Sequence, residues 1–188
     1  MHKVAVIVGS LRRESINLKL ARALIKLGEK RFDCHLVKLD DVPMYNEDYW
    51  ADPPASVTRL KADIAAADAV LFVTPEYNRS IPALVKNTVD WGSRPRGQNS
   101  WAGKPAAIAG ASQGAIGTAV AQAHLRNSLL ILGVILMGQP EMYLNYKPGL
   151  IDDDFKIADE STAQFMTGFL EKFEAWIARM SPHSGGAQ

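Results

Sequence analysis

The sequence of 188 residues has a single cysteine, Cys34, which excludes an internal disulfide. It has no apolar run of the ~20 residues that a membrane-spanning helix needs. Its formal net charge is only +1, and its basic residues are scattered along the chain, which disfavours a nucleic acid or a membrane surface as partner. A predicted strand starts so near the N-terminus that no signal peptide is expected. We therefore expect a cytoplasmic protein.

Groups for metal binding or nucleophilic catalysis are also scarce. The four histidines lie far apart and lack the spacing of metal ligands, and Cys34 falls within a predicted strand, 34–39, where a structural thiol is expected. We predict no metal site and no catalytic side chain of the acid, base or nucleophile type.

A loop rich in hydrogen-bond donors, GSLRRESIN at 9–17, stands out between an apolar run at 3–8 and a helical pattern. Ser15 occupies the position of an N-cap, and a helix N-terminus attracts anions. The loop lacks the endings of a nucleotide-binding Walker loop and has one glycine, Gly9, where a dinucleotide fingerprint needs three. We interpret it as a phosphate site; the alternative is an ordinary surface turn. Its candidate donors are Ser10, Arg12, Arg13, Ser15 and Asn17.

Strand and helix patterns alternate along the rest of the chain. Strands are predicted at 3–8, 34–39, 69–74, 105–109 and 134–137, and helices from 16, 56, 82, 118 and 159 or 161 onward. Residues 143–154 are expected to be irregular. The alternation predicts an α/β, flavodoxin-like three-layer sandwich, with a five-stranded parallel sheet in the order 2-1-3-4-5 and helices on both faces. We expect one domain over 1–180 and a flexible tail at 181–188.

In that strand order, ligands bind at the carboxyl ends of the strands beside the switch between the first and third strands. The loop at 9–17 follows the first strand, Pro75-Glu76-Tyr77-Asn78 follows the third, and a glycine-rich loop at 110–114 follows the fourth. All three are expected to meet in one crevice. Tyr77 could instead be a core aromatic at a strand end.

Two motifs together resemble a known family: GSLRRESIN at 9–17 and PEYNRSIPALVKNTVDW at 75–91. The chain is similar to the NADPH-dependent FMN reductases, in the branch of chromate or quinone reductases. The similarity covers nearly the whole chain, including DVPMYN at 41–46, WAGKP at 101–105 and the segment 112–117.

The resemblance implies a set of cofactor contacts. Ser10, Arg12, Ser15 and Asn17 would bind the FMN phosphate, whereas Arg13 stands beside the family's fixed arginine position. Pro75, Glu76, Tyr77 and Asn78 would run along the isoalloxazine ring, and Ser112 and Gly114 would meet its pyrimidine side. NADPH or NADH would be the electron donor.

The implied activity is an FMN-dependent NAD(P)H oxidoreductase that reduces quinones and oxidised anions such as chromate by a ping-pong mechanism. An FMN reductase that supplies free reduced flavin and a flavodoxin-type electron carrier remain as alternatives. Arg79 stands where several relatives have an aromatic residue, so it is a candidate for binding anionic acceptors or the NADPH phosphate; the alternative is a solvated arginine.

The family also forms dimers and tetramers, so we expect a homodimer or homotetramer. The loop from Met44 to Trp50, together with Trp91 and Trp101, is expected to supply exposed aromatic area for such contacts. The loop's side chains could instead pack over the core or form part of a pocket rim.

Overall fold

The computed structural model describes residues 1–180, so the predicted tail at 181–188 lies outside the described residues. Strands and helices alternate as the sequence pattern predicts. The strands are β1 His2–Val8, β2 Phe32–Leu36, β3 Ala69–Val73, β4 Pro105–Ser112, β5 Ile135–Leu136 and β6 Met142–Asn145. The helices are α1 Ile16–Leu27, α2 Ala55–Ala66, α3 Ala83–Ser93, α4 Ala119–Leu130 and α5 Glu160–Met180, with a short 3-10 helix at Glu47–Ala51.

The sheet is parallel and has the order β2-β1-β3-β4-β5, as predicted. A sixth strand, β6, was not predicted. It pairs with the far end of β4, where Ala109 faces Met142, while β5 pairs with the near end, where Ala106 faces Leu136. The segment at 143–154 is therefore not wholly irregular, because its start continues the sheet edge that β5 begins.

Helices cover both faces of the sheet, which confirms the predicted three layers. In β1 the side chains of Val4, Val6 and Val8 pack toward α1 and α5, whereas Ala5 and Ile7 pack toward α2, α3 and α4. A strand buried on both faces is a nearly continuous run of apolar residues, which explains why β1 and β3 were easy to predict from the sequence.

Several boundaries differ from the prediction because strand pairing decides where a strand ends. β2 covers 32–36 rather than 34–39, and β4 continues through Gly110 and Ala111 to Ser112, which were predicted to lie in a loop. α2 begins at Ala55, so Ser56 lies buried inside its first turn and not at its N-cap. In α5, the carboxylate of Asp159 accepts a hydrogen bond from the Thr162 amide at 2.7 Å, which confirms Asp159 as the cap.

The prediction that Trp91 and Trp101 are exposed is wrong. Both indoles are fully buried, and each donates to a backbone carbonyl: Trp91 to Pro43 at 2.7 Å and Trp101 to Val89 at 2.9 Å. Tyr45 and Trp50 make edge-to-face contacts with Trp91, so these two aromatics of the 44–50 loop pack over the core. An indole is readily buried when its N–H has a partner, as here.

The longest helix, α5, packs Phe169 and Phe173 into the core and leaves Phe165 43% exposed. Within residues 1–180, neither α5 nor any other helix combines the length and apolar character needed to span a membrane.

Candidate functional site

A cavity of about 320 Å³ opens at the carboxyl ends of β1, β3 and β4. The three loops singled out in the sequence all contribute to its wall, as the strand order requires. Its lining consists of Ser10, Arg12, Glu14, Ser15, Ile16, Asn17, Pro75, Glu76, Tyr77, Ala111, Ser112 and Gln113.

The first loop presents the N-terminus of α1 to this cavity. The Leu18 amide donates to Ser15 Oγ at 3.2 Å, so Ser15 is the N-cap, and the Ser15 hydroxyl proton remains available to a ligand. The Arg12 amide donates to Ser10 Oγ at 3.3 Å, which folds the loop back on itself, and Arg12 is exposed. Hydroxyls, a guanidinium and helix-end amides therefore converge on one side of the cavity.

Asn17, in the first turn of α1, joins that helix to the end of β4. Its Nδ2 donates to the Ala111 carbonyl and its Oδ1 accepts from the Ala111 amide, both at 2.9 Å, and the side chain is 2% exposed. Its carboxamide is thus engaged on the backbone of β4, with one N–H left for a ligand. Nothing near Asn17 in the sequence indicates this partner, which lies 94 residues away.

Gly9 lets the first and second loops approach each other. A Cβ at this position would lie 2.6 Å from Val85 Cγ2 and 3.0 Å from Pro75 Cδ. The Gly9 amide donates to the Val73 carbonyl at 2.9 Å. Gly9 is therefore needed for close packing between the end of β1 and the start of the second loop.

The second loop starts at Pro75 and ends in a tight turn, Tyr77–Ser80. Two reciprocal backbone hydrogen bonds of 3.0 Å between Tyr77 and Ser80 close this turn. Its central residues, Asn78 and Arg79, have φ values of 51° and 61°. Such a conformation is uncommon for residues other than glycine and is tolerated best by asparagine and aspartate. The turn leaves Tyr77 51% exposed beside the cavity, so the core alternative for Tyr77 is wrong.

The carboxylate of Glu76 is directed to the N-terminus of α4. Its Oε2 accepts from the amides of Val120 and Ala121, each at 3.0 Å, and its Oε1 lies 3.2 Å from Arg79 Nη1. The Glu76 side chain is only 8% exposed. This contact joins residues more than forty positions apart, so no local sequence signal reveals it.

In the third loop, Ser112 Oγ donates to the Gly117 carbonyl at 2.6 Å and accepts from the Gly114 amide at 3.1 Å. Asn145, at the end of β6, donates to the Gly114 carbonyl at 2.8 Å. The unpredicted strand β6 therefore holds this loop in place through Asn145.

Most of the predicted cofactor residues line the cavity. Asn78 and Gly114 do not belong to the lining, and neither does Arg79. Arg13 lines a separate cavity on the other side of α1, with Lys19 and Arg22. Sequence reasoning missed Glu14, Ile16, Ala111 and Gln113 as individual lining residues, although each lies in or beside a loop that it selected.

Comparisons with known proteins agree with this arrangement. Residues 2–149 match the family model described as NADPH-dependent FMN reductase. A Burkholderia sp. protein named 2-hydroxy-1,4-benzoquinone reductase is 48% identical over 93% of this chain and 96% of its own length. A Pseudomonas putida protein named quinone reductase is 46% identical over 94% of this chain and 95% of its own length.

Among solved structures, the flavoenzyme NAD(P)H:(acceptor) oxidoreductase FerB from Paracoccus denitrificans superimposes with a TM-score of 0.93. It is 50% identical, and the match covers 96% of this chain and 99% of that one. A Pseudomonas aeruginosa flavodoxin, 21% identical with a TM-score of 0.57, shares the fold. The chain therefore belongs to the NADPH-dependent FMN reductase family.

Proposed function

We propose that this protein is an FMN-dependent NAD(P)H oxidoreductase that reduces quinones. Membership of the family makes the chain an oxidoreductase and implies FMN and NAD(P)H as its cofactors. The observation that carries the proposal is the meeting of three loops, at the ends of β1, β3 and β4, around one cavity of about 320 Å³.

The donor set on the α1 side of the cavity fits the FMN phosphate. A phosphate dianion is stabilised by hydroxyl donors, a guanidinium and the free amides of a helix N-terminus. Ser10, Ser15 and Arg12 supply the first two kinds of donor, and α1 supplies the third. Asn17 would contribute its remaining N–H while its other groups hold Ala111 in place.

The opposite side of the cavity fits the isoalloxazine ring. Pro75, Glu76 and Tyr77 form one wall, and Ser112 belongs to another. Asn78 and Gly114 are next in the sequence after the lining residues of these two walls. When bound, FMN accepts a hydride from the nicotinamide and passes electrons to an acceptor. The residues of this chain would hold the ring in place and direct fixed backbone dipoles toward it.

Quinones are the acceptor class best supported, because the names of two relatives specify quinone reduction. Reduction of chromate and a ping-pong order of substrates are further parts of the proposal. Arg79 supports an anionic acceptor, since it follows the cavity wall at Tyr77 by two residues and its side chain is 69% exposed, although Glu76 Oε1 lies 3.2 Å from its guanidinium.

Initial rates test this function. We would vary NADPH and NADH against a benzoquinone, against chromate and against free FMN. The proposal predicts parallel double-reciprocal lines with the quinone as the best acceptor. Intersecting lines would contradict the ping-pong order, and a clear preference for free FMN would favour a reductase that supplies reduced flavin.

We also propose a homodimer or homotetramer in the cytoplasm. The apolar side chains that support self-association are not the tryptophans but Met44, Tyr49, Leu130 and Ile131, which are 69%, 43%, 62% and 85% exposed. Light scattering that returned the 20.5 kDa mass of one chain would contradict the assembly.

A further inference from the structure

The turn at Tyr77–Ser80 is held against α4 from both of its flanks. Before the turn, Glu76 Oε2 accepts from the Val120 and Ala121 amides at 3.0 Å each. At its end, Ser80 Oγ lies 3.0 Å from His124 Nδ1, one helical turn further along α4. The wall beside Tyr77 therefore takes its position from a helix that does not itself line the cavity.

We propose that Glu76 is a positioning residue: its carboxylate clamps the Tyr77–Ser80 turn to α4 and so keeps the ring-side wall of the cavity in the geometry that binds FMN. The inference rests on the proposed function for its ligand. It concerns the chain's own contacts, however, and these exist without the cofactor.

Backbone strain at Arg79 is what such a clamp would offset. Asn78 and Arg79 both have positive φ, and the reciprocal bonds between Tyr77 and Ser80 are the turn's own restraint. A conformation of this kind persists only where surrounding contacts determine it. Without the anchor to α4, the turn would populate relaxed conformations with negative φ.

Glu76 satisfies three donors with one carboxylate. Two are unpaired amides of the α4 N-terminus, where the helix dipole favours a negative charge. The third is the guanidinium of Arg79, at 3.2 Å, within the turn itself. The Glu76 side chain is 8% exposed, so its bonds to the two α4 amides are shielded from solvent, whereas the bond to Arg79 lies at the surface, where the Arg79 side chain is 69% exposed. The same carboxylate therefore caps the helix and restrains the strained residue.

The expected consequence is a loss of preorganisation. When only a fraction of molecules holds the binding geometry, the apparent dissociation constant rises by the inverse of that fraction. If Glu76→Ala leaves about a tenth of molecules with the native turn, FMN affinity falls roughly tenfold. Glu76→Gln keeps a neutral oxygen for the two α4 amides and loses the charge opposite Arg79, so it should restore most of the affinity.

The experiment compares Glu76→Ala and Glu76→Gln with Asp159→Ala, which also removes a helix-capping carboxylate but at α5, away from the cavity. Readouts are the FMN dissociation constant from fluorescence quenching, the visible circular dichroism of bound flavin, and hydrogen exchange of the Tyr77 and Ser80 amides in cofactor-free protein. Glu76→Ala should bind FMN about tenfold more weakly, change the flavin dichroism and exchange both amides at least about tenfold faster. Asp159→Ala should match wild type in all three.

Equal behaviour of Glu76→Ala and Asp159→Ala would overturn the clamp. If Glu76→Ala does not fold, Glu76→Gln carries the test, because faster exchange at Tyr77 and Ser80 than in wild type is still required of it. A wild-type protein that binds no FMN would instead refute the proposed function, and the amide exchange would still decide whether Glu76 restrains the turn.

Discussion

Arg12 and Arg13 are adjacent in the sequence but point to different cavities. Arg12 lines the cavity with the proposed FMN site, and Arg13 lines the one on the other side of α1. This divergence gives a variant and its matched control within one dipeptide.

Arg12→Ala is expected to weaken FMN binding and leave turnover largely intact. It removes one charge-assisted hydrogen bond of ~1.5 to 3 kcal/mol, which corresponds to a loss of roughly 10- to 100-fold in affinity. Arg13→Ala should change affinity little. Fluorescence titration with FMN measures both, and an Arg12→Ala protein that keeps FMN tightly but loses turnover at saturating FMN would show that the phosphate site is misassigned.

The charge of Arg79 can be tested in the same way. The Arg79 side chain is 69% exposed and forms an ion pair with Glu76, so its attraction for an anion is weak, as for other charges at the protein surface. Arg79→Ala should raise the Michaelis constants for chromate and NADPH by about two- to fivefold and leave that for a neutral quinone unchanged. Lys30→Ala, a surface cation far from the site in sequence, serves as the control. Equal constants in the Arg79 variant and wild type would leave Arg79 without a role in substrate binding.

Single residues were predictable where their partners are local. Ser15 caps α1 by accepting from an amide three residues away. A serine directly before an apolar stripe with helical spacing is a typical N-cap, so the sequence predicts this cap. Asn17 was recognised as a site residue, but its partner Ala111 comes from another element, and nothing local to Asn17 indicates it.

At the scale of elements, β4 shows how tightly the site is packed from behind. A Cβ on Gly110 would overlap the Thr118 side chain and the Thr74 carbonyl. Gly110 therefore fixes the distance between β3, β4 and the start of α4, and with it the spacing of the second and third loops.

Gly110→Ala is expected to destabilise the protein by about 1 to 3 kcal/mol, the usual range for an added methyl group in a packed interior. Gly138→Ala is the matched control, because a Cβ there meets nothing within 4 Å. The urea midpoint of each variant without cofactor measures the effect. A Gly110→Ala protein as stable as wild type would mean that β4 and α4 separate easily.

The cap of α5 gives a pH-dependent prediction. Hydrogen bonds from Ser161 and Thr162 lower the pKa of Asp159 from 3.8 to about 2. A carboxyl group whose pKa is lower in the folded than in the unfolded protein stabilises the folded state at pH values above its unfolded-state pKa. For Asp159, this stabilisation disappears as the pH falls from about 4 to about 2. The stability difference between wild type and Asp159→Asn should therefore shrink over that range in urea unfolding series, and a constant difference down to pH 2 would exclude this role.

Helices and strands, like single residues, were predictable where their hydrogen-bond partners are near in the sequence and not where the partners are distant. The caps Ser15 and Asp159 lie next to the helices they start; the sequence predicted Ser15 as a cap and left Asp159 and Ser161 as the two candidates for the other helix. Glu76 caps α4 from another loop, and the small-residue run Gly110 to Ser112 becomes strand only because β6 pairs with it. Strand pairing and tertiary capping are not encoded at neighbouring positions, so these features emerged only in the structure.

At the scale of the whole molecule, the parallel sheet explains why three distant loops form one site. The order β2-β1-β3-β4-β5 places the ends of β1, β3 and β4 side by side at one edge, as the flavodoxin-like order fitted to the alternating strand and helix patterns predicted. The burial of Trp91 and Trp101 was not predictable in this way, because an indole suits both cores and interfaces, and the carbonyl that each N–H bonds comes from elsewhere in the fold.

Whether this protein passes electrons from NADPH to quinones through bound FMN is measured by the visible absorption spectrum of the purified protein, recorded anaerobically before and after NADPH and again after a benzoquinone. We expect a flavin spectrum that NADPH bleaches and the quinone restores, with FMN as the flavin released on denaturation. A protein that remains colourless after incubation with FMN would contradict the proposed FMN site, and one whose bound flavin NADPH cannot bleach would be an electron carrier rather than a reductase.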